Sequence, residues 1–73
     1  MNKEKVFSIV AAVIDILPSD ITIDSVNDDF ERWDSIAHMT IVTALEEQTG
    51  EMFSEEEIVE MLSIKGMLQV VGV

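Results

Sequence analysis

The stretch Glu31-Arg32-Trp33-Asp34-Ser35-Ile36-Ala37-His38-Met39 marks the point where a long aperiodic segment gives way to helical periodicity. It holds the only tryptophan and the only histidine of the chain. Asp34 and Ser35 are residue types that accept a backbone N–H at a helix start, an interaction worth about 1 kcal/mol. A helix therefore begins here. From Ser35 to about Thr49, Ile36, Met39, Ile41, Val42, Ala44 and Leu45 supply an apolar face. His38, Thr40, Thr43, Glu46, Glu47 and Gln48 fall mostly outside it, which places His38 on the surface.

Upstream, Val6, Ile9, Val10, Val13, Ile14 and Leu17 recur at i, i+3, i+4 and i+7. This predicts a first helix with Asn2 as N-cap and Pro18 as the stop. Between Pro18 and Asp34 the periodicity disappears, and connections beyond about 12 to 15 residues are uncommon unless functional or pinned by their own side chains. Ile21, Ile23, Val26 and Phe30 are the expected pins. Downstream, Gly50 suits a left-handed helix end, and Ser54-Glu55-Glu56-Glu57 forms a capping box before Ile58, Val59, Met61 and Leu62. Ser63 can cap a last segment carrying Ile64, Met67, Leu68, Val70 and Val71, which Gly72 ends. The expected architecture is all-α, a small four-helix bundle with a long loop between helices one and two and a single domain over residues 1–73. The five methionines read as core.

Composition narrows the function. Hydrophobic residues make up 48% and charged residues 26%, as in a packed domain. A chain of this length buries only roughly 60% of its unfolded surface, which leaves little room for a deep active site. Four basic against fifteen acidic residues give a net charge of −11, which disfavours nucleic acid and anionic membrane surfaces and suits partners with basic docking patches. The absence of cysteine removes disulfides and thiolate metal sites and favours an intracellular, cytoplasmic setting. Lys3 and Lys5 before Val6–Ile14 imitate a short secretory signal. Glu4 among them, Asp15 directly after, and the lack of a small-residue cleavage site argue for an unprocessed soluble chain. The apolar run also falls short of the roughly 18 residues a membrane span needs.

Asp34, Ser35 and His38 are the residue types of a nucleophilic triad. Asp34, however, lies at the helix start rather than behind the imidazole, and no glycine-rich segment offers an oxyanion hole. Metal binding has one histidine, and Asp24–Arg32 lacks the spacing of a calcium loop. The acids Glu55-Glu56-Glu57 suit a helix N-terminus for reasons of dipole alone. Trp33 reads as a partly buried lid over the loop, with a partner contact as the alternative. A phosphate on Ser35 would sit at the positive end of the helix dipole, so the serine suits presentation as well as capping.

Asp34-Ser35-Ile36 at the start of the second of four helices, then Thr43-Ala44-Leu45-Glu46-Glu47 and Phe53-Ser54-Glu55-Glu56-Glu57, resembles the acyl carrier proteins over nearly the whole chain. The resemblance implies that Ser35 is esterified by a phosphopantetheinyl transferase with the 4′-phosphopantetheine of coenzyme A. The thiol of that arm would carry acyl or aminoacyl groups as thioesters in fatty-acid, polyketide or related biosynthesis. It further implies recognition of transferase and partners through Trp33, Asp34, Ile36, Met39, Glu46, Glu47, Glu55, Glu56 and Glu60. Those partners would be a loading ligase or transferase and downstream enzymes, and the carrier would be a monomer without catalytic residues or metal. Ile36 replaces the usual leucine, Thr40 stands where many members have a glutamate, and Trp33 replaces a small glycine. Trp33-Asp34-Ser35 followed by His38-Met39 looks more like discrete carriers serving a dedicated ligase or specialised pathway. The alternative class is an acidic helical inhibitor or immunity-type protein that needs no modification, with Asp34 and Ser35 acting only as caps.

Overall fold

The computed structural model describes residues 1–73. It contains four α-helices, α1 (Lys3–Ile14), α2 (Ser35–Thr49), α3 (Glu55–Glu60) and α4 (Ile64–Val71), and no strand. This is the expected all-α, acyl-carrier-like bundle.

Each helix begins on a polar side chain that takes an otherwise unpaired amide. Asn2 Oδ1 accepts from Lys5 N at 2.8 Å and Asp34 Oδ1 from Ala37 N at 2.8 Å. Ser63 Oγ accepts from Gly66 N at 3.0 Å. The Ser54–Glu57 capping box closes in both directions, Glu57 N to Ser54 Oγ at 3.2 Å and Ser54 N to Glu57 Oε1 at 2.9 Å. Gly50 and Gly72 end α2 and α4 in the left-handed region, at φ 73° and 81°.

α1 stops sooner than its periodicity predicts. Asp15 adopts φ 57°, a conformation that aspartate tolerates better than most residues, and its amide bonds Ala11 O. Leu17 therefore leaves the helix and stands 66% exposed, so the turn at Asp15 and not Pro18 is the stop. An exposed ion pair from Arg32 to Asp15, 2.8 Å long, adds little to stability.

The core runs between α1 and α2, where Val6, Val10 and Ile14 meet Ile41, Val42 and Leu45, and is completed by Met61, Ile64 and Met67. Two methionines, Met61 and Met67, are core, whereas Met1, Met39 and Met52 are exposed. The buried face of α2 is His38, Ile41, Val42 and Leu45, itself an i, i+3, i+4, i+7 stripe. Ile41, Val42 and Leu45 lie in it as expected, whereas Ile36, 81% exposed, and Met39, 49% exposed, fall outside it and His38 takes their place.

The connection from Asp15 to Asp34 is ordered by two 3₁₀ turns, Pro18–Asp20 and Asn27–Asp29. Of the expected pins, Ile21 is buried and Phe30 half-buried, while Ile23 and Val26 are exposed. Backbone bonds hold the rest. Asn27 N donates to Leu62 O at 2.8 Å and Ile64 N to Ser25 O at 2.9 Å, which clasps the loop to the α3–α4 junction. Ser25, 94% buried by this clasp, accepts Thr22 N at 2.9 Å through its hydroxyl.

Candidate functional site

Ser35 is the first residue of α2 and is exposed. Asp34 discharges the capping role, and its backbone carbonyl accepts the amide of His38 at 2.8 Å. Ser35 and Ile36 open the first turn of α2, the end of the helix where the dipole favours negative charge. A phosphodiester on Ser35 fits this position.

Ser35 stands between two hollows. Along the outer face of α2 runs a shallow groove formed with Ile36, Met39, Thr40, Thr43 and Glu47. Between α2 and α3 lies a cleft of about 530 Å³, lined by Asp34, Met39, Ile58, Val59 and Leu62 and floored by Trp33 and His38. Asn27 and Asp28 of the second 3₁₀ turn complete it.

The floor corrects two expectations. Trp33 is 3% exposed and belongs to the core, where Phe30 stacks on it with ring centroids 6.5 Å apart. It is no partial lid, and its ring offers a partner no surface. His38 is 5% exposed rather than a surface residue. Trp33 Nε1–H donates to His38 Nδ1 at 3.0 Å. Because an indole nitrogen can only donate, His38 carries its proton on Nε2, which donates to Ile58 O at 2.8 Å. That carbonyl is one of the last four of α3, and the turn after this six-residue helix takes up the carbonyls of Glu57, Val59 and Glu60 but not that of Ile58. A helix so short does not persist alone, so the capping box in front and His38 at its side hold it in place. No buried side-chain nitrogen or oxygen is left without a partner.

The other residues expected at the site divide by location. Ile36, Met39 and Glu47 share the outer groove with Ser35. Glu46 is half-buried, and its Oε2 accepts Phe53 N at 3.0 Å, so it fastens the α2–α3 connection. Glu55, Glu56 and Glu60 are exposed on α3 but line neither hollow beside Ser35. His38 and Ile58 were missed as builders of the site. The stripe of His38 with Ile41, Val42 and Leu45 was the available signal.

A family model described as phosphopantetheine attachment site matches residues 4–71. The chain belongs to this family of carrier domains, the site of covalent 4′-phosphopantetheine attachment. Within that class it is a member of the acyl carrier protein family, whose domains work with phosphopantetheinyl transferases and biosynthetic enzymes and are not themselves catalytic. No curated protein matches the chain. No helix is long and apolar enough to cross a membrane.

The capping role of Asp34 can be tested apart from its charge. Asp34→Ala should lower unfolding stability by about 1 kcal/mol in denaturant titration, and Asp34→Asn, which retains the accepting oxygen, should not. Modification of the Asn variant should nonetheless slow if the charge is what a transferase reads. Equal rates for Asp34→Asn and the parent chain would reduce Asp34 to a cap.

Proposed function

We propose that Ser35 is the attachment point. The chain then acts as a carrier, passing an acyl or aminoacyl group between enzymes of fatty-acid, polyketide or related biosynthesis without catalysing a step. The observation that supports this most is that Ser35 is exposed at the first turn of α2 while Asp34 takes over the capping. On attachment, the bond from Ser35 Oγ to phosphorus forms as the phosphoanhydride bond of coenzyme A breaks. The hydroxyl proton passes to a base of the transferase and adenosine bisphosphate leaves. The arm supplies a thiol that carries the cargo as a thioester. Its flexible reach raises the local concentration of cargo at each partner, so the chain needs only to present it.

Partner recognition is assigned to Asp34, Ile36, Met39 and Glu47 around Ser35, with Glu55, Glu56 and Glu60 adding charge from α3. A monomeric cytoplasmic carrier loaded by a ligase or transferase fits this reading. The test is incubation with coenzyme A and a transferase of broad tolerance, then intact mass and peptide mapping. One added phosphopantetheine on the peptide containing Ser35 is the expected result, and an unchanged mass sinks the reading.

Docking should also weaken with salt, because exposed charges are screened beyond about 8 to 10 Å at ordinary ionic strength. Partner affinity measured across a salt series should therefore fall. A flat series would assign the contact to Ile36 and Met39 instead.

A further inference from the structure

The cleft beside Ser35 lies between α2 and α3, and what closes its floor is a polar connection rather than loose side chains. Trp33, His38 and the Ile58 carbonyl form one continuous line of hydrogen bonds, 3.0 Å and 2.8 Å long, from the residue before Asp34-Ser35 across α2 to α3. Behind it, Ile41, Leu45 and Met61 are fully buried. We propose that this connection makes the chain a carrier of short acyl groups, and that His38 is the specificity-determining residue that bars a long alkyl chain from the interior. The proposal rests on attachment at Ser35.

The physical reason lies in what an alkyl chain would have to displace. To pass between α2 and α3 it must part His38 from Ile58 or from Trp33. The indole N–H, the imidazole N–H or the carbonyl would then face hydrocarbon, which offers no hydrogen bond in exchange. A short acyl group needs no such opening. It can rest at the mouth of the cleft, where Asn27, Asp28 and Asp34 keep the rim polar.

The experiment loads the chain from acetyl-, octanoyl- and dodecanoyl-coenzyme A with a tolerant transferase and follows cleavage of each thioester by hydroxylamine. A thioester protected about fivefold is exposed only about a fifth of the time, which sets the criterion. In the parent chain all three should be cleaved at rates within about twofold of one another. Protection of the octanoyl or dodecanoyl thioester by about fivefold or more overturns the proposal. In His38→Ala the dodecanoyl thioester should become protected by about fivefold or more while the acetyl thioester is unaffected, a dependence on cargo length that general destabilisation does not produce. Equal cleavage at all lengths in that variant removes His38 from the role and overturns the proposal. If His38→Ala fails to fold, Trp33→Phe, which keeps an aromatic side chain of smaller size and deletes the donor to His38, is judged by the same criterion. A parent chain that gains no mass from any of the three overturns the attachment reading itself. An added mass with protected long-chain thioesters overturns only the inference.

Discussion

Ser35→Ala should abolish modification completely while leaving the fold intact. After incubation with coenzyme A and a transferase, the parent chain gains one phosphopantetheine by intact mass and the variant gains none. The loss should be total because the proposed attachment uses a single atom, Ser35 Oγ, and the nearby hydroxyl of Thr40 is turned back on Ile36 O at 3.1 Å. The fold survives because Asp34 caps α2, and alanine is the best helix former at the position that Ser35 occupies. Unfolding stability should stay within about 0.5 kcal/mol of the parent, as for surface substitutions generally. A modified Ser35→Ala chain would move the attachment elsewhere. A variant that loses modification by unfolding would say nothing against a purely structural Ser35, so the stability measurement belongs with the mass.

Gly66→Ala should be the most damaging of the three glycine-to-alanine changes. Gly66 lies in the first turn of α4, where a Cβ would overlap the carbonyl oxygen of Glu60 at the end of α3 and crowd Ser63 Oγ at 3.1 Å. The obstacle is backbone, which cannot swing aside as a side chain can. Overpacking of this kind typically costs about 1–3 kcal/mol, and the rigid oxygen places this case at the upper end. A domain of this size has only about 4–11 kcal/mol of stability in total. Gly50→Ala is the control. It has open space around the added methyl and meets only the left-handed strain of φ 73°, about 1–2 kcal/mol. Denaturant titration should rank the losses Gly66→Ala over Gly50→Ala. The reverse order would mean that α3 and α4 can slide apart freely, and that the clasp at Ser25 and Asn27 does not fix their junction.

The helix starts and the two glycine stops were legible because capping is local chemistry, whereas the stop of α1 at Asp15 was not. Asn2, Ser54, Ser63, Gly50 and Gly72 each act within a few residues of their own position and read directly as caps, and the cap of α2 was narrowed to Asp34 or Ser35, of which Asp34 takes the role. Features that depend on a distant partner were not legible. The spacing treats Gly66 as a weak helix residue, because the carbonyl that requires it belongs to another helix. Ile36 and Met39 entered the apolar frame of α2 because periodicity counts apolar letters. The true frame contains a histidine, which is admissible in the core only when both ring nitrogens are satisfied, as Trp33 and Ile58 satisfy them here. Ile23 and Val26 failed as pins for a similar reason, since backbone bonds to Leu62 and Ile64 hold the loop without them. At the site, the serine, its cap and the acids of α2 were all readable as types. That Glu46 faces Phe53 N could not be read before the α2–α3 connection was seen.

The burial of Trp33 also makes the chain its own spectroscopic probe. With one tryptophan and no tyrosine, its near-ultraviolet absorption and intrinsic emission arise almost wholly from a single indole, and that indole floors the cleft beside Ser35. An optical titration of this protein therefore reads that one indole. Because the same indole belongs to the core, it reports the state of the site and of the bundle together.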